Sequence, residues 1–165
     1  MVQLREVMVK EKEVLANLLE YYVYEFSPIL KLDVSSEGKY GFNRIDDYFI
    51  NPNLHPYFII YDGNIAGFSI VERVLDKEFD FRIDQFFILK RYGSLGLGHD
   101  AALKSFDLYR GKWKITQTET NYRAQSFWRK TIKLYTDNKF EEYYDEQRRS
   151  VQTFVNMEIE GEKVC

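Results

Sequence analysis

Phe86-Phe87-Ile88-Leu89-Lys90-Arg91-Tyr92-Gly93-Ser94-Leu95-Gly96-Leu97-Gly98-His99 is the stretch on which the reading of this chain turns. Its first four residues end a strand expected over Phe79 to Leu89, which alternates at first and then runs apolar, as a strand buried on both faces does. Three glycines follow within six residues. Ala101, Ala102, Leu103 and Phe106 then mark a helix from Gly98 to Arg110, with Gly111 closing it. A strand, a glycine loop and a helix amino terminus together suit an anion. Glycine permits positive φ and close backbone approach, and the first amides of a helix point toward the ligand. A plain connection also uses glycine, but three in six residues exceed what a turn requires. The chemistry fits a pyrophosphate without saying whose.

Two nucleotide-binding readings can be tested on spacing. Gly96-Leu97-Gly98-His99-Asp100-Ala101 matches G-x-G-x-x-A, and Glu119 lies about 20 residues on, where an acidic residue could bind a ribose. That fingerprint should open a domain with several βαβ units after it, and too little chain remains. The span from Leu89 to Gly96 is also too long for its tight first turn. A P-loop is excluded because no Lys-Ser or Lys-Thr follows the glycines.

Outward from the loop, the spacing predicts a helix over about Glu11 to Phe26, with Val14, Leu15, Leu18, Leu19, Tyr22, Val23 and Phe26 on one face. A second helix starts at Asn121, a favoured N-cap residue, and aligns Ala124, Phe127, Trp128 and Ile132. Strands are expected at Leu4 to Val9, Pro56 to Tyr61, Ile65 to Val74, Lys112 to Gln117, Lys139 to Tyr144 and Thr153 to Ile159. Asp62-Gly63-Asn64 makes a hairpin turn between the second and third of these. From Ser27 to Leu54 only a loop at Ser35-Ser36-Glu37-Gly38 and a short helix over Ile45 to Ile50 stand out. The hairpin implies antiparallel pairing early, and alternating strands and helices imply parallel pairing later. A mixed α/β sheet follows.

Composition narrows the class. At 165 residues, 45% apolar and 30% charged, the chain fits one globular domain over 1–165. A net charge of −3 without basic blocks argues against a nucleic-acid partner. The amino terminus is charged from the start, and the apolar runs are too short to span a bilayer, so no membrane partner and a cytoplasmic location are expected. Cys165, the single cysteine, rules out an internal disulfide and a cysteine-built zinc site, and no metal is expected. With His55 and His99 as the only histidines, no Ser-His-Asp order supports a hydrolase.

The quoted stretch resembles motif A of the GNAT superfamily of acetyl-CoA-dependent N-acetyltransferases, in which a strand runs into Q/R-x-x-G-x-G/A at a helix start. Asn121-Tyr122-Arg123-Ala124-Gln125-Ser126-Phe127-Trp128-Arg129-Lys130 resembles its motif B. Gly111-Lys112-Trp113 and Ala124 to Lys130 are further similar to a bacterial subgroup of uncharacterised predicted acetyltransferases. The resemblance implies a mostly antiparallel central sheet of six to seven strands, flanked by about four helices, with a parallel splayed pair at the cofactor site. It implies acetyl-CoA as co-substrate, with direct attack by an amine in a ternary complex. A small-molecule acceptor is expected over a protein, and a homodimer is compatible with the family.

By that resemblance the amides of Ser94, Leu95, Gly96, Leu97, Gly98 and His99 bind the pyrophosphate. Phe86, Phe87 and Ile88 pair with the pantetheine arm, and Asn121 reaches the arm as well as capping its helix. Gly93 replaces the family's Gln or Arg, and Arg91 can substitute. Trp128 stands where many relatives carry an acidic tyrosine. An indole cannot protonate a thiolate, so Trp128 lines the cofactor side or packs the core, and either the thiolate leaves unprotonated or water or Tyr135 supplies the proton. A non-catalytic acyl-CoA sensor is the alternative this departure raises. Asp84, Asp80 and Glu119 are candidate bases. Asp84 and Asp80 are expected on the strand face of Phe86 and Ile88. Tyr21, Tyr22, Tyr24 and Glu25 with Asp46, Asp47 and Tyr48 come from the region covering the acceptor cleft in the family, a lining suited to a cation.

Overall fold

Residues 1–157 are described in a computed structural model. Seven strands form one sheet in the order β1-β2-β3-β4-β5-β7-β6. They are β1 (Val2–Glu6), β2 (Leu54–Tyr61), β3 (Asn64–Arg73), β4 (Phe81–Ile88), β5 (Lys112–Gln117), β6 (Glu141–Tyr144) and β7 (Ser150–Val155). Helices α1 (Lys12–Leu30), α2 (Asp47–Ile50), α3 (Leu97–Asp107) and α4 (Tyr122–Tyr135) complete the set. The pairs β1–β2, β2–β3, β5–β7 and β6–β7 are antiparallel. Strands β4 and β5 pair in parallel, Phe81 with Trp113. This is the mixed, mostly antiparallel sheet with a parallel pair that the sequence implies.

Several boundaries move, for local reasons. The opening strand is Val2–Glu6, not Leu4 to Val9, because Val9–Glu11 turns into a 3-10 segment in which the Glu11 side chain accepts from the Met8 amide. Helix α1 outruns Phe26 by one turn and holds Pro28. That proline leaves the Tyr24 carbonyl without its helical donor, and the Ser27 hydroxyl donates to it at 2.8 Å. Helix α3 stops at Asp107, so Gly111 does not close it. Gly111 instead admits Asp80, since a Cβ there would meet the Asp80 carboxylate at 2.6 Å. The last strand is Ser150–Val155; residues 158 and 159 of the expected one, like Cys165, lie outside the described residues.

Two compact units divide the chain. The first takes Met1–Arg73 and Ile83–Ser105, and the second takes Val74–Arg82 and the chain from Phe106 on. In the first unit, Leu15, Leu18 and Leu19 of α1 pack with Tyr48, Phe58, Phe68 and Ile70. A separate cluster joins Val2, Ile59, Ala66, Tyr92, Leu97 and Ala101. The β2–β3 hairpin turns on Asp62 and Gly63, both at positive φ (48° and 77°), as a two-residue turn demands. The second unit is built on aromatic contacts: Phe106 lies 5.0 Å from Trp113 and 4.9 Å from Phe154, and Trp113 stacks on Phe154.

Candidate active site

The glycine loop belongs to the first unit. Tyr92 before it and Leu97 after it are buried in one cluster, which pins both ends while residues 93–96 stay exposed. Gly96 sits at φ +74°, where an L side chain is strained, whereas Gly93 at −63° is in a conformation open to any residue. The amides of Gly93, Leu95 and His99 donate to the carbonyls of Lys90, Tyr92 and Gly96. Among the described residues those of Ser94, Gly96, Leu97 and Gly98 have no such backbone acceptor. Four amides therefore gather at the start of an eleven-residue helix whose dipole favours an anion. The exposed Arg91 guanidinium lies 5.4 Å from the Tyr92 ring, and Lys90 pairs with Glu25 at 2.7 Å.

Strand β4 leads into that loop, and residues Ile83–Ile88 are half-buried rather than closed in on both faces as the apolar run predicts. Gly67 explains how closely β3 approaches. A Cβ on Gly67 would fall 2.0 Å from the Phe87 carbonyl oxygen and 3.0 Å from the Ile88 Cα. The alternation of β4 slips by one residue here. Phe86 and Ile88 pack on the Tyr92–Leu97 cluster, whereas Phe87 and Asp84 both face the α1–α2 side, against Tyr22 and Tyr48 respectively. Asp84 thus does not point with Phe86 and Ile88.

There Asp84 meets a small polar cluster. The Tyr48 hydroxyl donates to Asp84 Oδ2 at 3.0 Å, and an Arg44 guanidinium nitrogen lies 3.4 Å from Oδ1. The Asp84 side chain is 5% exposed and that of Arg44 42%. Burial, with the Asp84 charge adding to it, holds the Tyr22 and Tyr48 hydroxyls well above the ordinary phenol range, so both stay neutral and Tyr48 acts as a donor. Burial works against the Arg44 charge, but the Asp84 and Asp47 carboxylates outweigh it and raise the guanidinium above its ordinary value. Of the acidic and aromatic residues expected at an acceptor cleft, Tyr48 reaches Asp84 and Tyr22 packs edge-on against Phe87. Tyr21 and Tyr24 are exposed, Glu25 is taken by Lys90, and Asp46 pairs with Lys12.

The second unit holds the remaining candidates. Asp80 accepts from the Lys112 amide at 2.8 Å and braces the entry to β5. Asn121 Oδ1 accepts from the Ala124 amide at 3.2 Å, the expected cap, while the Gln125 side chain donates to the Thr118 and Glu119 carbonyls. Glu119 pairs with Arg148 at 2.7 Å. Trp128 is buried against Phe106 and Phe127. The Tyr135 hydroxyl donates to Asp107 at 2.9 Å and accepts from Asn156, and burial, reinforced by Asp107, raises it above the ordinary phenol range. Arg44 and Gly67 went unnoticed in the sequence. A lone glycine inside an apolar strand signals close backbone approach, whereas nothing local marks Arg44.

Comparison with known proteins identifies the family and the fold. The model of the acetyltransferase (GNAT) family matches residues 18–133. Among solved structures, an acetyltransferase from Thermus thermophilus superposes with a TM-score of 0.69 at 13% identity, covering 94% of this chain and 97% of that one. The PaiA N-acetyltransferase from Thermoplasma acidophilum in complex with coenzyme A gives 0.63 at 14% identity, covering 94% and 99%. A GNAT-family acetyltransferase from Streptococcus agalactiae 2603 gives 0.65 at 15%, covering 95% and 96%. No curated protein matches the sequence. The chain belongs to the GNAT acetyltransferase family and is an acetyl-CoA-dependent acetyltransferase. Among the described residues no helix is long and apolar enough to cross a membrane, and no cluster of His, Cys, Asp and Glu could hold a metal ion.

Proposed function

We propose that this enzyme transfers acetyl to the nitrogen of a small cationic amine by direct attack in a ternary complex. The observation that carries the reading is a continuous run within the first unit. It starts at the four amides of Ser94, Gly96, Leu97 and Gly98, follows half-buried Phe86–Ile88, and reaches the buried carboxylate of Asp84. Asp84 precedes Ile88 by four residues, about 13 Å at strand rise, so β4 offers the pantetheine arm an extended stretch of backbone between the loop and Asp84.

Acetyl-CoA supplies the acetyl group as an activated thioester, and the chain supplies the rest. The four amides hold the pyrophosphate, Arg91 adds a nearby cation, and Gly93, Leu95 and His99 shape the loop. Backbone groups of Phe86, Phe87 and Ile88 align the arm as an added strand would. Asp84 pairs with the acceptor's ammonium and takes its proton. The freed nitrogen attacks the thioester carbonyl, the C–S bond breaks, the sulfur leaves with the electron pair, and the nitrogen gives up its second proton to solvent, leaving the neutral amide. Glu119 and Tyr135 are given no proton step: one is paired to Arg148, and the other is a weaker acid than a free phenol. Asn121 and Trp128 fix the start and core side of α4 in their own unit.

The reading keeps a cytoplasmic enzyme and is compatible with a homodimer. Two measurements test it. Acetyl-CoA should raise the melting temperature, and free CoA should be released with at least one primary amine from a broad panel. Stabilisation with no release across the panel would favour a sensor, and modification found only on protein amino termini would remove the small-molecule acceptor.

A further inference from the structure

The Asp84 cluster already contains a cation, and it is held loosely. Arg44 stands 3.4 Å from Asp84 and 3.6 Å from Asp47. Elsewhere in the chain, Arg129 grips Glu142 through three contacts of 2.7–2.9 Å, the range of closed charge-assisted bonds. Arg44 therefore lies between two carboxylates, hydrogen-bonded to Asp84 at 3.4 Å and paired with Asp47 at 3.6 Å, both longer than the Arg129 contacts. Its side chain is 42% exposed while that of Asp84 is 5% exposed, so the guanidinium lies on the solvent side of the carboxylate. The surroundings favour organic cations: Arg44 lies 5.8 Å from the Tyr48 ring centroid, and Phe42 stacks on Tyr48 with centroids 6.0 Å apart.

A buried carboxylate needs a cationic partner, and Asp47 offers Arg44 a second place to rest. We propose that Arg44 is a resident cation on Asp84, that the acceptor's primary ammonium displaces it, and that Arg44 then closes on Asp47. The consequence is a selection rule: only an acceptor that brings its own positive charge replaces the one it removes, so neutral and anionic acceptors are rejected. The Glu20 carboxylate, which accepts from the Tyr40 and Gly41 amides at 2.8 and 2.9 Å, ties to α1 the loop that carries Arg44.

This inference rests on Asp84 being the acceptor subsite, and its test needs no acetyl transfer. Propylammonium is titrated into the full chain without acetyl-CoA, with propanol as the uncharged control, and the rise in melting temperature is followed. In Arg44→Gln the half-saturating propylammonium concentration should fall at least about tenfold, and in Asp84→Asn the rise should vanish. Asp47→Asn removes the second seat and should raise the half-saturating concentration several-fold, which decides the matter if Arg44→Gln does not fold. An unchanged concentration in the folded Arg44 variant, or an equal gain with propanol, overturns the proposal. The acetyl-CoA response of the same proteins is recorded alongside. Its loss in the unmodified chain would count against the acetyl-transfer reading while leaving the ammonium result to stand or fall separately.

Discussion

Gly67 shows how a single absent atom organises the reacting strand. Its Cβ would overlap the Phe87 carbonyl oxygen, a backbone atom that no rotamer change can move. Gly67→Ala should therefore cost about 3 kcal/mol, the upper end of ordinary overpacking, read as a lowered denaturant midpoint with unchanged slope. At Asp84 the prediction concerns rate. Asp84→Asn keeps the shape but can neither pair with an ammonium nor accept its proton, so kcat should fall by roughly 10² to 10⁴. Acetyl-CoA should stabilise that variant as it does the parent. A fall in acetyl-CoA affinity with kcat preserved would reassign Asp84 to the cofactor side. Neither residue's role was fully legible in the sequence. The carboxylate on the strand was visible, but strict alternation put it on the wrong face, because a slip in register leaves no mark in the strand itself.

At the scale of elements, β6 is the exposed example. All four of its residues face solvent, and it is held by β7 and by the Arg129 of α4 that grips Glu142. That hydrogen-bonded arginine, with help from Gln152, holds the Glu142 carboxyl below its ordinary value of 4.5 although burial pushes the other way. A depressed carboxyl contributes stability above the unfolded value and loses it as pH falls through the folded one. Glu142→Gln should therefore lower stability near neutral pH and flatten its decline below about pH 4.5, as seen in thermal melts across an acid series. A parallel loss at every pH would assign the effect to packing. Elements with strong local pattern were legible, β5 at both ends and α4 at its start. The segment from Ser27 to Leu54 was not, because distant partners fold it: the Glu20 carboxylate binds the Tyr40 and Gly41 amides, and Gly38 and Gly41 take positive φ.

For the molecule as a whole, the order of strands and helices and the glycine loop at a helix start could be read because each depends on local pattern. The Asp84 cluster could not, since it assembles from the loop before α2, α2 and β4 through contacts 36 and 40 residues apart in sequence. The whole-chain prediction follows from mass action. Acetyl-CoA at one hundred times its Kd should add about 2.7 kcal/mol of stability, which for a chain of this size is a rise of roughly 5–10 °C in Tm. No rise under those conditions would mean that the amides at the α3 start do not hold the pyrophosphate.

The aromatic stack of Trp113 on Phe154 has a use of a different kind. The chain's two tryptophans, Trp113 and Trp128, both lie in the second unit, while the first carries tyrosine and phenylalanine alone. Fluorescence excited at the red edge of the aromatic band therefore reports one unit and is blind to the other, whereas far-ultraviolet dichroism sees the backbone of both. Overlaid during unfolding, the two signals form an optical test already present in the natural chain. Coincident curves identify one cooperative transition, and separated curves identify two.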